Sequence, residues 1–194
     1  MRNARHRNLV PVITTCSSEY IRAFVLHYMS NGSVENWLYR EDCHLNLLQR
    51  VIVMLDAAMA IEYVHHGYET SIVHCDLKPS NVLLDEDMVA HVGEFGISKI
   101  LAVLTKRRPT DEEICNENLD LRKWIIQSYS ETMLEVVDAN LFPEEEQITS
   151  KSEIYIASMV ELALDCTMEI TESRITVKDV VKRLNKIKNT FLEM

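Results

Sequence analysis

Eight consecutive residues, His74-Cys75-Asp76-Leu77-Lys78-Pro79-Ser80-Asn81, narrow the folds open to this chain more than any other stretch. They gather a carboxylate, an ammonium and an amide on a turn that Pro79 stiffens by fixing its own φ. Apolar residues on each side of this polar turn read as two short strands flanking a loop of chemically active side chains. The second strand, Val82-Leu83-Leu84-Asp85, is followed after a short hairpin by Gly93-Glu94-Phe95-Gly96. An ordered run of loop, strand, turn, strand and second acidic turn is far more specific than a lone His-x-Asp.

Length and charge bound the rest. The 194 residues suffice for one domain with a sizeable core, or at most two small ones. A net charge of −10 argues against nucleic acid or an anionic membrane as the main partner, and most of the carboxylates read as solvated surface. Cys16, Cys43, Cys75, Cys115 and Cys166 are odd in number and scattered, with no C-x-x-C pair. They read as reduced thiols of a cytosolic compartment, not as a disulfide framework or a zinc site. The N-terminus is polar and basic, so no signal peptide is expected. No segment approaches the roughly 20 apolar residues of a membrane span, and the chain taken alone is expected to be soluble.

In chain order, the first eight residues are basic and read as the end of a helix feeding a turn. Val10 to Thr15 and Ile21 to Tyr28 are rich in Val, Ile, Phe and Thr and predict a hairpin around Cys16-Ser17-Ser18-Glu19. Asn31-Gly32-Ser33 predicts a turn, with Ser33 capping a short helix through Tyr39. A long helix is predicted from about Leu47 to His66. Asn46 and Gln49 have capping-box spacing, Leu48, Val51, Ile52, Leu55, Met59 and Ile61 form a stripe at helical period, and Gly67 stops it. His65 and His66 project about 100° apart on a helix, which suits a helix end better than a shared metal ion. Ile97 to Leu104 is apolar until Lys106 to Asp111 breaks the run. Leu119 to Ser128 predicts a helix with Leu121, Trp124 and Ile125 on one side. Phe142 to Gln147 predicts an exposed acidic loop. Ile154 to Thr167 predicts a buried helix with Ile156, Met159, Val160 and Ala163 inward. The last helix is expected to start at Thr176 with Asp179 closing a capping box. It turns Val177, Val180, Val181, Leu184, Ile187 and Phe191 inward and leaves its lysines and Arg183 in solvent.

The central run resembles the catalytic loop of protein kinases, written H-R-D-L-x-x-x-N and followed by a metal-binding D-F-G. His74, Asp76, Leu77 and Asn81 match, while Cys75 stands for the Arg and Glu94 for the D-F-G Asp. Arg5 to Val10, Tyr28 to Ser33, Ala60 to Gly67, Arg108 to Glu112, Ala163 to Thr167 and Val177 to Val181 extend the likeness over nearly the whole chain. They resemble plant leucine-rich-repeat receptor-like serine/threonine kinases, most closely the pattern-recognition receptors. The resemblance implies an α+β, mostly helical fold: an incomplete kinase-like domain, mainly the large lobe with a remnant small-lobe hairpin. In that scheme residues 1–29 are the small-lobe remnant and hinge, and 30–100 the first part of the large lobe. Residues 101–107 are a junction replacing the activation loop and central helix, and 108–194 are the C-terminal helices.

The resemblance also implies a chemistry. It calls for ATP and Mg2+ as cofactors, a protein substrate or partner kinase, and a place at the cytoplasmic face of the plasma membrane. Asp76 would accept the proton of the attacking hydroxyl, Lys78 would meet the transferring phosphate, and Asn81 and Glu94 would hold the metal. Leu26 would be the gatekeeper, with the backbones of His27 and Met29 gripping adenine. Cys75 makes the loop "non-RD", the type found in plant immune receptor kinases, which is not switched by pairing with a phosphorylated activation loop.

What the 194 residues lack is equally marked. With glycine only at positions 32, 67, 93 and 96 there is no G-x-G-x-x-G phosphate loop, and neither a V-A-I-K lysine nor an A-P-E motif occurs. Only about ten residues bridge Gly96 and Arg107, where the family has several tens. Three consequences are expected. Arg174 resembles the arginine that pairs with the A-P-E glutamate, and is left to solvent or a makeshift carboxylate. The long helix and the helix from Ile154 lose the central helix on which they normally pack. Glu94 sets its carboxylate out by one methylene, which suits octahedral magnesium poorly. The sequence therefore sustains three readings: an ATP-dependent phosphotransferase, a catalytically inactive pseudokinase-type interaction module, or a truncated product with no function of its own.

Overall fold

The computed structural model describes residues 5–20, 22–42, 44–66, 78–93, 100–107, 120–129, 137–142, 150–168 and 170–193. Within them the elements run β1 (Val12–Ser17), β2 (Arg22–Leu26), α1 (Val34–Tyr39), α2 (Leu47–His66), β3 (Val82–Leu84), β4 (Ala90–Val92), α3 (Ile100–Thr105), α4 (Leu121–Tyr129), α5 (Ser150–Cys166) and α6 (Val177–Leu192). β1 pairs with β2 and β3 with β4, as two separate antiparallel ribbons, and the other elements are helical. This is the α+β, mostly helical architecture that the sequence implies.

α2 is the axis of the core, and its start is fixed locally. Asn46 Oδ1 accepts the Gln49 N–H and Gln49 Oε1 accepts the Asn46 N–H, each at 2.9 Å, the reciprocal capping box. The expected one-sided stripe is corrected. Val53, Met54, Ala57 and Ala60 are buried as fully as Val51 and Leu55, whereas Leu48, Ile52 and Met59 are only half-buried. The reason is that α2 is covered on several sides, by α6, by β4 and by α3, and a helix enclosed in this way is apolar around most of its circumference.

α5 and α6 close the core from below. Ile156, Met159, Val160 and Ala163 of α5 are all buried, as their spacing predicts, and so are Val177, Val180, Leu184 and Ile187 of α6. The Tyr155 hydroxyl donates to the Thr190 carbonyl at 2.9 Å while its ring packs on Phe191. Arg183 and Asp165 add an ion pair between the two helices. Cys166, at the end of α5, is free and buried, and burial pushes its thiol up to about 12, which makes it inert. The α6 cap differs from the box expected. Thr176 Oγ1 accepts the Asp179 N–H at 3.2 Å, but the Asp179 carboxylate takes the Thr176 hydroxyl at 2.7 Å, so its bond goes to a side chain.

Two further expectations change. Val10 does not join the first hairpin: its N–H donates to Val92 O at 3.2 Å, and Pro11, which has no N–H, separates it from β1. The apolar faces of α2 and α5 are not left bare either. The apolar run after position 97 supplies α3, whose Val103 and Leu104 are buried against them. Arg174 is exposed and donates through Nε and Nη2 to the Met168 carbonyl at 3.2 and 2.9 Å, so it stays at the solvent side as expected.

α3 is held by a buried arginine that patterning did not reveal. Arg50 on α2 and Asp138 are ion-paired with only 1% and 4% of their side chains exposed. Arg50 Nε also donates to Leu45 O at 2.8 Å and Nη1 to Val103 O at 2.7 Å. Asp138 returns its N–H to Leu104 O at 3.1 Å. Burial pushes the Asp138 carboxyl up, but Arg50 and the Asn140 amide outweigh it and hold the group below the usual carboxylate range. With its folded pKa depressed, Asp138 contributes stability above about pH 4 that is lost as pH falls through the folded value.

Removing one partner leaves a buried charge unanswered. Asp138→Ala is expected to destabilise the fold by about 3–5 kcal/mol, whereas Arg50→Met combined with Asp138→Leu costs far less. Urea unfolding midpoints of the two variants check this order.

Candidate nucleotide and catalytic site

The β3–β4 ribbon carries the turn on which the candidate chemistry sits. Val82 pairs with Val92, Leu83 with His91 and Leu84 with Ala90. Before it, Pro79–Asn81 make one 3-10 turn, closed by Asn81 N–H to Lys78 O at 2.8 Å. Gly93 N–H donates to Asn81 O at 2.9 Å, so the start of the Gly93–Gly96 motif lies against the end of the turn. Lys78 and Asn81 are thus on one short turn. Asp76 and Glu94 lie outside the described residues. At the far end of the ribbon Asp85 Oδ1 accepts the N–H groups of Asp87 and Val89 at 3.0 and 2.9 Å, and Met88 takes a left-handed φ of 62°. Asp85 Oδ2 contacts His91 Nε2 at 2.8 Å. Burial pushes the Asp85 carboxyl up, but His91 and these amides outweigh it and hold the group below its ordinary value.

The Asn31–Ser33 turn is strapped to the same ribbon. Asn31 N–H donates to Leu84 O at 3.1 Å and Leu84 N–H to Gly32 O at 2.8 Å. The Asn31 side-chain amide donates to Asp85 O at 2.6 Å, and the Asn31 backbone carbonyl accepts the Trp37 indole N–H at 2.8 Å. Gly32 has φ +68°, and a Cβ there would press on the Asn36 amide at 3.3 Å, so glycine is required. Ser33 Oγ then accepts the Asn36 N–H at 3.3 Å and caps α1, as expected. Met29 is buried, but Leu26 is 46% exposed and Tyr28 83%. His27 gives its N–H to Pro11 O at 3.0 Å.

A second anchor ties the N-terminal arm to α2 and β4. Asn8 is fully buried. Its side-chain amide donates to Ala90 O at 3.0 Å and its backbone carbonyl accepts the Val92 N–H at 2.9 Å. Asp56 on α2 accepts the Ala90 N–H at 3.2 Å. Burial raises the Asp56 carboxyl above its usual value, with Ala90, Arg7 and Asn8 offsetting part of the rise. His6 stacks on Tyr63 with ring centroids 5.0 Å apart, and its Nδ1 accepts the Asn8 N–H at 3.2 Å. Sequence reading quoted Arg5 to Val10 as a motif but gave Asn8 and Asp56 no part. The signal available was the lone carboxylate of Asp56 inside an apolar stretch, whereas Asn8 sits at the end of a basic run and gave none. A cavity of about 480 Å3 opens beside this anchor, lined by His6, Arg7, Met59, Glu62, Tyr63 and His66. It is distant in sequence from the hinge residues. His65 and His66 stand edge to face at the end of α2, and the described residues contain no cluster of three metal-ligating side chains.

Among the described residues, Leu26 and Tyr28, beside the backbone expected to grip adenine, are open to solvent.

The sequence profile described as protein tyrosine and serine/threonine kinase matches residues 1–119. The receptor kinase-like protein Xa21 of Oryza sativa subsp. japonica is 32% identical over 257 positions, spanning 98% of this chain and 25% of the relative. The LRR receptor-like serine/threonine-protein kinase EFR of Arabidopsis thaliana is 41% identical over 110 positions, 50% of this chain and 11% of the relative. The chain thus spans about a quarter of Xa21, and the alignment is longer than the chain, so Xa21 carries several tens of residues with no counterpart here. Among solved structures, an apo pseudokinase aligns at TM-score 0.77 and 20% identity, covering 96% of this chain and 70% of that one. The pseudokinase domain of BIR2, described as an immune regulator of the RLK/Pelle family, aligns at TM-score 0.76 and 24% identity over 96% and 66%. No described helix is long and apolar enough to cross a membrane.

Two measurements follow from the anchor. Asn8→Ala strands the Ala90 carbonyl and removes a partner of Asp56, and is expected to cost about 1–3 kcal/mol in a thermal melt. Burial and Arg7 lower the His6 pKa, with Asp56 opposing. The unfolded state therefore binds the proton first, and the stabilisation present above about pH 6.5 is lost as pH falls from there toward the folded value. His6→Asn, whose side-chain oxygen also accepts an N–H two residues on, is expected to flatten that acid limb in melts between about pH 7 and pH 5.

Proposed function

This chain belongs to the protein tyrosine and serine/threonine kinase family, as a kinase domain related to plant receptor-like kinases, and we propose that it acts as a catalytically silent, pseudokinase-type protein-binding module of receptor-kinase signalling. The observation that carries this reading is the open hinge, with Leu26 and Tyr28 in solvent. The likeness to solved pseudokinases supports it. In this reading residues 101–107 stand where the relatives carry their additional segment. α3, which overlaps them, packs on α2 and α5 and serves the core instead of a substrate.

The substitutions at the chemical positions agree. Glu94 in place of the metal-binding Asp lengthens a ligand that magnesium holds in strict octahedral geometry. Cys75 removes the arginine that would read a phosphorylated activation loop, so the module is not switched in that manner. Asp76, Lys78 and Asn81 then serve as loop residues, with Asn81 closing the 3-10 turn and receiving Gly93. We place the module with leucine-rich-repeat receptors at the cytoplasmic face of the plasma membrane, in immune signalling. The retained Asp-x-Lys-x-x-Asn pattern is the one feature favouring the other reading, ATP-dependent phosphotransfer to a protein hydroxyl.

Thermal melts with and without Mg2+-ATP separate the two. A native-state ligand present at 100 times its dissociation constant adds about 2.7 kcal/mol, which for a chain of this size raises the midpoint by about 5–10 °C. The expected result is a cooperative melt that nucleotide leaves unmoved. A raised midpoint together with phosphate transfer to a generic protein substrate, abolished in Asp76→Asn, would establish the enzyme instead.

A further inference from the structure

Two buried side-chain polar atoms among the described residues have no partner, His91 Nδ1 and Arg122 Nε. The first is an imidazole nitrogen that stays a bare acceptor while Nε2 makes the contact to Asp85. The second has no such escape. It belongs to a permanent cation that carries donors only, and an orphaned donor on a charged group is costly. Arg122 Nη2 is hardly better served, since it donates to Met168 Sδ at 3.3 Å, and a thioether is a weak acceptor.

Arg174 reaches the same residue from the turn before α6. Its Nε and Nη2 both donate to Met168 O, which leaves Nη1 without an acceptor among the described residues. Two guanidiniums therefore converge on Met168, no more than a methionine's length apart, answered by a sulfur and one peptide oxygen. Asp165, which shares the neighbourhood of Cys166 with Arg174, is already paired with Arg183. The local charge is of one sign. Residues 174–188 hold Arg174, Lys178, Lys182, Arg183, Lys186 and Lys188 against Asp179 alone, in a chain of net charge −10. Cations gathered against the overall charge of the molecule, and short of acceptors, make a site for an anion.

We propose that Arg122 and Arg174 bind a phosphate monoester, carried by a phosphorylated side chain of a partner protein. A phosphate presents three strongly accepting oxygens and nearly two charges, enough to meet two planar forks at once, whereas a carboxylate fills one. On binding, the Arg122 guanidinium exchanges the sulfur for a phosphate oxygen and turns Nε out of its unanswered position. An anionic bilayer is the poorer source, because it repels a molecule of this net charge. The site uses no residue of the Lys78–Asn81 turn. It rests on the protein-binding reading only for the bearer of the phosphate.

Titration calorimetry on the full chain tests this, with phenyl phosphate and with a short neutral peptide carrying one phosphoserine. Both are expected to bind at about 0.1–1 mM, and the same peptide with Ser or Glu at that place at least tenfold more weakly. Arg122→Met and Arg174→Met each weaken phosphate binding at least tenfold. Arg122→Lys does so too, because a point charge lacks the fork. Met168→Leu, which removes only the sulfur, keeps binding at least as tight as the parent. Thermal melts show that the variants fold: Arg122→Met loses an orphaned donor, so its midpoint is equal to the parent's or higher. Phosphate then raises the parent's midpoint and leaves this variant's unmoved. Phenyl phosphate needs no partner, so failure of the site is read separately from failure of the protein-binding reading. Binding of neither probe, or binding that both arginine variants leave unchanged, overturns the site. Binding of phenyl phosphate without the phosphopeptide, or a preference for anionic phospholipid vesicles over the peptide, overturns the protein source.

Discussion

The core of this protein depends on one cation taken out of water. Burying a guanidinium is costly unless its donors are answered, and Arg50 meets that demand with Leu45 O, Val103 O and the Asp138 carboxylate. Those acceptors come from three segments far apart in sequence, so the arginine fixes where each one lies relative to α2. α3 is the element most indebted to it. Six residues are too few to hold a helix in isolation, yet Val103 and Leu104 take their places in the core because their carbonyls are gripped by Arg50 and by the Asp138 N–H. A short helix thereby covers faces that would otherwise meet water.

The β3–β4 ribbon does for the candidate site what Arg50 does for the core. The Asn8–Val10 arm bonds to β4, the Asn31–Ser33 turn bonds to β3, and the Lys78–Asn81 turn leads directly into it. The Lys78–Asn81 turn thus has a firm mounting.

Sequence reading succeeded where structure is decided by near neighbours. The Asn46–Gln49 box, the Ser33 cap and the inward faces of α5 and α6 follow from residues three or four apart, and each is present. It failed where a distant partner decides. Val10 has the composition of a hairpin strand but bonds to Val92, eighty-two residues on. Arg50 reads as a polar position on an amphipathic helix, and only its partners near positions 103 and 138 explain its burial. Lys78 and Asn81 were legible as members of a motif, because a loop's chemistry is written consecutively. Asn8 and Asp56 were not, since their meaning arises only when the arm, α2 and β4 converge.

The two roots of the β1–β2 ribbon are fastened to the same pair of strands, one through Val10 and the other through Asn31. The ribbon is therefore a loop tied off at its neck. Opening it exposes its amides to hydrogen exchange while those at the neck stay protected, so the two populations report separate equilibria. A protease cutting near Ser18 would leave two ends still held by the neck and a helical core still intact.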